Sequence, residues 1–352
     1  MKAISLSLYK CVLACPWNGW ACHLSAVLTV TVWSDWQHLG KMFENVSELE
    51  FDRGLNIHAI LSSEKERMPL VEPVNTGTPV EKWLQRVEYA MQAAVSRQCE
   101  LAHAAFTSKP RTEWAIEWPG AVAIVVTQIM WTANTEMALL SDEPNAFQTY
   151  ARNYSVEVEQ FCSLSRTKLP KLQRIQFIAM LTLDVHSRDV LSEMLDSGVD
   201  SLSNFTWCAQ LRYYFDAVTA AIEVRMVTCG VLYGNEYLGN TNRLVVTPLT
   251  DRCYRSLMLA DKLHLVGAPQ GPAGTGKTET TKDLAKALAR QCVVFNCSYG
   301  LDYKAMAKFF KGIAASGAWA CELARTQPVP LGSTDLYNSP ALAEPLALPW
   351  MD

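Results

Sequence analysis

None of the 11 cysteines in this 352-residue sequence belongs to a Cys-x-x-Cys pair. Without that spacing a disulfide framework and a standard zinc site both lose their usual signature, and reduced, cytosol-facing thiols fit the scatter better. Charge of one sign is scarce as well. Against 35 Asp and Glu stand 31 Lys and Arg, a formal net charge of −4, which leaves no electrostatic footprint for nucleic acid. Long apolar runs are lacking too: residues 20–33 are mostly apolar but too short to span a bilayer comfortably, so no membrane partner is expected. A lysine followed by Ile, Leu and Leu near the N-terminus faintly resembles a secretory leader, but Lys10 interrupts it and no small-residue cleavage site follows. Cys11, Cys15, Cys22 and His23 stand at a spacing that matches no standard metal site. Residues 1–35 stay unassigned.

What is present is ample apolar content, 49%, in a chain long enough for about two or three domains. The chain is organised around Gly271-x-x-x-x-Gly276-Lys277-Thr278, the phosphate-binding P-loop pattern. The apolar run 263–266 is expected to form a buried strand leading into the loop. Gly271, Gly274 and Gly276 let the backbone reach φ > 0 and approach an anion without a Cβ in the way. From Lys277 the text turns helical, with Leu284, Leu288, Ala285, Ala287 and Ala289 set among Lys and Arg. Strand, glycine loop and helix together aim backbone N–H groups and a helix N-terminus at a phosphate. Gly271, Pro272, Ala273, Gly274, Thr275, Gly276, Lys277, Thr278 and Glu279 are therefore the candidate nucleotide-binding residues. Lys277 would reach the β/γ oxygens, and the Thr278 hydroxyl would ligate Mg²⁺. The plainer alternative is a glycine-rich turn before an ordinary helix.

Upstream, residues 36–223 read as mainly helical. The clearest segment is 80–106, where Trp83, Val87, Ala90, Met91, Ala94, Val95, Leu101 and Ala105 fall near helical spacing after Thr78-Pro79. That stripe reads as a core face and not a cofactor box. Trp118-Pro-Gly120 is a break, 121–131 resumes as a helix, and 154–164 and 172–185 follow across a polar connection. Asp184, His186, Arg188 and Asp189 read as a solvated or ion-paired helix surface. Tyr233-Gly234 and Gly239-Asn240 signal turns, and 243–249 is an apolar extended run closing at Pro248. A helix over 253–260 follows. After the P-loop helix, 291–297 is the best strand in the chain, so 263–266, the loop helix and 291–297 are expected to form a parallel, right-handed βαβ unit. A helix over 303–315 leads to a further strand opening at 318–321.

The expected organisation is an unassigned segment 1–35, a mainly α domain 36–228, a partial α/β P-loop domain with a parallel sheet over 229–321, and a tail 322–352. Five prolines interleave with small residues in that tail, which reads as disordered.

Longer quotations carry a resemblance. Glu236-Tyr-Leu-Gly-Asn240, Arg243-Leu-Val-Val-Thr-Pro-Leu-Thr-Asp-Arg252, Gly271 through Asp283, Cys292-Val-Val-Phe-Asn-Cys297 and Lys308-Phe-Phe-Lys-Gly312 resemble the entry and Walker A region of the first AAA+ module of dynein heavy chains, the axonemal ones in particular. Glu117-Trp-Pro-Gly120, Gln128-Ile-Met-Trp-Thr132, Leu183-Asp-Val-His-Ser-Arg-Asp189 and Gln210-Leu-Arg-Tyr-Tyr214 are similar to the helical linker that lies across the motor ring. The resemblance covers about 36–321.

It implies ATP with Mg²⁺ as ligand and apolar contacts to the adenine from Leu244, Val245 and Val246. It further implies a parent that is a minus-end-directed microtubule motor of cilia and flagella. Its partners would be microtubules and the intermediate, light intermediate and light dynein chains, with an axonemal, cytoskeletal location. In the family the run Gly-Ala-Trp-Ala-Cys continues into Phe-Asp-Glu-Phe-Asn-Arg, the Walker B strand; here Cys321 is followed by Glu322-Leu-Ala-Arg-Thr326, and Tyr299 stands where the family usually has an aspartate. Such edges suggest a fragment, a splice product or a misjoined exon, without the later modules, stalk and microtubule-binding tip.

No residue is assigned a catalytic role, because the Walker B acids are not in place and Glu322 occupies the phenylalanine slot on the opposite strand face. An arginine finger from a neighbouring module, normally worth about 10³–10⁵ in rate, is not supplied either, so weak or absent hydrolysis is expected. The competing readings are a stand-alone small P-loop ATPase or kinase, and a non-enzymatic fragment that associates with dynein subunits.

Overall fold

Three short strands open the described part of the chain, β1 (Glu48–Phe51), β2 (Asn56–Leu61) and β3 (Arg67–Asn75), paired antiparallel in that order. The computed structural model describes Phe43 and residues 45–324, apart from 273, 298–302 and 317. Ile57, Ala59, Ile60 and Met68 are fully buried where the sheet meets α1 (Val80–Ala105). Beyond α1 come α2 (Arg111–Glu117), α3 (Gly120–Leu140), α4 (Ala146–Ser165), α5 (Lys171–Asp196) and one turn, α6 (Phe205–Cys208). A proline precedes four of these helices: Pro79, Pro110, Pro119 and Pro170 occupy the capping positions with extended ψ. The ring sets φ before the helix begins, and each proline carbonyl accepts the first helical bond, as in Ala123 N–H to Pro119 at 2.9 Å.

A second antiparallel sheet follows, β4 (Arg212–Asp216), β5 (Ala221–Met226) and β6 (Cys229–Leu232). Then α7 (Pro248–Lys262), α8 (Lys277–Ala287), β7 (Cys292–Cys297), α9 (Tyr303–Ser316) and β8 (Trp319–Ala324) complete the described chain, with β7 and β8 parallel. The fold class is thus as expected: a mainly helical N-terminal region followed by an incomplete α/β module. The helix over 80–106 lies within one residue of its expected end, and Val87, Met91, Ala94 and Val95 form its buried face.

The structure also departs from the expected organisation. Two small antiparallel sheets lie within the region read as mainly helical, because strands of four to nine residues are too short for a periodicity to declare itself. Residues 229–232 pair with β5 and so extend the N-terminal region's sheet. The expected tail begins inside a strand, since β8 runs through 322–324; residues 325–352 lie outside those described, as do 1–35 and Tyr299.

The run 263–266 is not a strand. His264 takes φ 55° and its N–H bonds the Asp261 carbonyl at 3.1 Å, while Leu265 N–H bonds Ala260 at 2.8 Å. These are the paired closing bonds of a helix end, so the amides a sheet ladder would need are used to terminate α7. Leu265 is left exposed and Val266 is 92% exposed. The parallel unit is β7–α9–β8, one step later in the chain than expected.

Asp184 is not on a surface. Its side chain is fully buried and accepts from Arg111 Nη2 at 2.6 Å and from the Tyr154 hydroxyl at 3.0 Å. Only Arg188 and Asp189 form the expected exposed pair, at 2.7 Å.

A second buried carboxylate ties distant segments together. Glu66, 5% exposed, accepts from Gly120 N–H at 2.7 Å, the Tyr237 hydroxyl at 2.7 Å and Asn240 Nδ2 at 3.1 Å. Two motifs far apart in sequence, at 117–120 and 236–240, thereby meet on one side chain. Gly120 is the first residue of α3, where the helix dipole favours the negative charge.

Burial nevertheless pushes the Glu66 carboxyl above its ordinary 4.5, against the lowering by Gly120 and Tyr237. Between 4.5 and the raised native value, the folded chain holds a proton that the unfolded chain has lost. The contribution of this group to stability therefore falls as pH rises through that window. Urea midpoints taken from pH 4.5 to neutrality are expected to decline less in Glu66→Gln than in the unmodified chain. Identical slopes would remove Glu66 as the source.

Candidate functional site

The site is built on the start of α8. Gly276, at the capping position, has φ 78° and Gly274 has φ 82°, left-handed conformations that cost a Cβ-bearing residue dearly. Their turn leaves the first N–H groups of α8 without intrahelical partners by construction. Lys277 folds back across the loop. Its Nζ donates to the Gly271 carbonyl at 2.7 Å, to Pro272 at 2.5 Å and to Thr275 Oγ1 at 3.3 Å.

The ammonium is thus held over the loop that the sequence assigns to phosphates. Thr278 beside it is half-buried, while Gly271, Pro272, Gly274, Thr275, Gly276 and Glu279 are exposed. Ala273 lies outside the described residues. Glu279 pairs with Lys282 at 3.2 Å on the helix surface.

The loop and helix suit an anion: positive-φ glycines, an unsatisfied helix N-terminus and an adjacent ammonium. The metal half of such a site is thinner. Thr278 offers one hydroxyl, and among the described residues no group of three or more His, Cys, Asp or Glu could hold a metal ion. Glu322 lies within β8, its Cα in register with Phe295, and not after the strand end.

Leu244, Val245 and Val246 do not share one orientation. Val246 packs against the main core, Val245 is 66% exposed, and Leu244 donates its N–H to Asp283 Oδ1 at 2.9 Å. Asp283 was not singled out from the sequence. It accepts Arg243 Nε on Oδ1 at 3.0 Å, and Arg243 Nη2 and the Tyr254 hydroxyl on Oδ2 at 3.1 and 2.7 Å. Burial alone would raise the Asp283 carboxyl, but the Arg243 charge and this set of donors hold it below its ordinary value. A signal was available: Thr280, Asp283, Leu284 and Ala287 follow helical spacing and are all buried, so one carboxylate stands on an otherwise inward face.

The far end of α8 is fastened to the N-terminal region. Tyr213 donates its hydroxyl to the Ala287 carbonyl at 3.0 Å, with burial pushing that phenol up to about 12. Gly234 N–H bonds Leu288 at 2.9 Å and Glu236 N–H bonds Ala289 at 3.1 Å. A Cβ at Gly234 would lie 2.4 Å from the Ala289 carbonyl oxygen, so this approach requires glycine. A cleft between the two regions is lined by Trp131, His186, Gln210, Arg243, Val246 and Tyr254. It gathers residues from the quoted motifs at 128–132, 183–189 and 210–214. No described helix is long and apolar enough to cross a membrane.

Two family models match parts of the chain. The family model described as "Hydrolytic ATP binding site of dynein motor region" matches residues 233–324, and "Dynein heavy chain, N-terminal region 2" matches 35–102. The chain is 50% identical over 287 residues to dynein axonemal heavy chain 3 of Mus musculus, covering 81% of this chain and 7% of that protein. It is equally similar to dynein axonemal heavy chain 12 of Rattus norvegicus, 50% over 287 residues and 9% of that protein. Identity to dynein axonemal heavy chain 1 of Rattus norvegicus is 45% over 284 residues, 6% of its length. The chain therefore spans less than a tenth of the length of these relatives.

Proposed function

Because the chain belongs to the dynein heavy chain family, we propose that residues 271–279 bind ATP with Mg²⁺ and that hydrolysis is weak or absent. The observation that carries the binding half is the left-handed Gly274–Gly276 turn at the N-terminus of α8 with the Lys277 ammonium folded over it. In this reading the loop amides and Lys277 hold the phosphates, and Thr278 contributes its hydroxyl to the magnesium shell. Bound Mg²⁺ would neutralise charge on the phosphate oxygens. Leu244 and Val245 would supply apolar surface to the base.

The hydrolytic half rests on what the described residues do not assemble. An acidic pair beside the loop normally orients water and the metal, and Cys321-Glu322-Leu-Ala-Arg does not reproduce that pair. Within a full-length relative, the same segment would belong to a microtubule motor of the axoneme working with other dynein chains. A non-enzymatic role beside dynein subunits is the second reading, favoured by exposed Leu265, Val266, Tyr303 and Phe310 in the α/β module.

The test is Mg·ATP binding by the purified 1–352 chain with phosphate release read in parallel. Lys277→Ala is expected to weaken binding by about 10- to 100-fold, the worth of a charge-assisted contact, with no release above background in either protein. Turnover that depends on Lys277 at ordinary ATPase rates would overturn the incomplete-site reading. Binding unaffected by the substitution would overturn the placement of the phosphates.

A further inference from the structure

The segment before α7 runs along α8 toward the phosphate loop. Asn242 offers its carbonyl to Lys286 Nζ at 3.5 Å, and two residues later Leu244 N–H reaches Asp283, almost one turn nearer the N-terminus of α8. Val245 follows with 66% exposure, while Val246 packs against the main core. The contact that fixes this path is the Asp283 carboxylate. Both of its oxygens are doubly used: Oδ1 by Arg243 Nε and Leu244 N–H, Oδ2 by Arg243 Nη2 and the Tyr254 hydroxyl.

Arg243 and Asp283 are both nearly inaccessible, with side chains 7% and 4% exposed. A planar guanidinium gripping a carboxylate at two points sets orientation as well as distance. Tyr254 adds α7, the helix whose C-terminal end leads into the loop, so three parts of the site converge on one side chain.

We propose that Asp283, together with Arg243 and Tyr254, is the positioning group that sets the base-contacting residues Leu244 and Val245 at their working distance from the phosphate loop. The proposal rests on the ATP-binding reading above. Asp283 touches no ligand in it; it acts by holding Leu244 to α8, six residues beyond Lys277 in the sequence.

A merely structural residue would weaken every ligand of the site alike, whereas a positioning residue weakens only ligands that carry a base. The wild-type 1–352 chain, Asp283→Asn and Tyr254→Phe are titrated with Mg·ATP and with Mg·tripolyphosphate, which has the phosphates without the base. Asp283→Asn loses the charge that holds Arg243, and is expected to weaken ATP by about tenfold while tripolyphosphate changes less than about twofold. Tyr254→Phe removes one bond from an otherwise intact packing site and carries the test should Asp283→Asn fail to fold. Its expected selective loss is about threefold. A parallel fall for both ligands, or an unchanged ratio in Tyr254→Phe, overturns the positioning role while leaving the nucleotide site standing. A wild-type chain that binds neither ligand overturns the nucleotide site, and the positioning role with it.

Discussion

Arg111→Ala is expected to destabilise the chain by about 3–5 kcal/mol, the usual cost of leaving one member of a buried ion pair alone. Asp184 sits on α5 with a fully buried side chain, and Arg111 at the start of α2 is only 10% exposed. Alanine would leave the carboxylate with the Tyr154 hydroxyl at 3.0 Å as its remaining charge-stabilising contact in Oδ1's surroundings. The guanidinium also lies 4.7 Å over the Phe161 ring, so its loss removes packing as well as charge. Asp184→Ala should cost a similar amount, since the carboxylate then left to pair with Arg111 is Glu157, at a long 3.9 Å.

The double change Arg111→Met with Asp184→Leu separates the two explanations. If the penalty comes from an uncompensated buried charge, removing both charges should recover most of the loss. Urea unfolding of the three variants reads this directly. A single-variant cost under about 1 kcal/mol would mean that water reaches the pair, and the buried description of α2, α4 and α5 would be wrong.

Gly120→Ala is expected to cost about 2–4 kcal/mol, an overpacking penalty with a lost hydrogen bond added. A Cβ at Gly120 would stand 1.6 Å from Asn240 Oδ1 and 2.6 Å from its Cγ. The asparagine would have to leave, and with it goes the bond from Nδ2 to Glu66 at 3.1 Å. The clash has a short, buried side chain as its other party, so there is little slack to absorb it. Asn240→Ala removes the obstacle and forfeits the same bond. The double variant should therefore cost markedly less than the sum of the two singles, a coupling of about 1–3 kcal/mol. Strict additivity in thermal or urea unfolding would show that Gly120 and Asn240 do not compete for space.

The two sites differ in how far they could be read from the chain. The shape of the glycine loop was legible, because Gly274 and Gly276 take the positive φ that their residue type permits and Lys277 opens α8 directly after them. The helix start after Pro79 was legible for the same reason, and the stripe Val87, Met91, Ala94, Val95 declares a buried face. Other bounds were not, since the expected helices 121–131 and 172–185 run on to Leu140 and Asp196. The run 263–266 misled because an apolar segment of four residues carries no record of how the preceding helix closes. His264 adopting φ 55° decided it. Asp184 misled in the opposite way: Arg188 and Asp189 beside it are exposed, and nothing local says that one carboxylate of the cluster faces inward toward Arg111, 73 residues earlier.

By itself the sequence determined the family, the glycine loop with its helix, and the four long helices before the second module. These follow from local spacing and from long matching motifs. Only the tertiary structure decided which polar groups hold the parts together. Glu66 meets Asn240 across 174 residues and Gly120 across 54, and Arg243 meets Asp283 across 40. A buried carboxylate needs donors from whatever elements surround it, and those elements become neighbours only when the helices and sheets have packed.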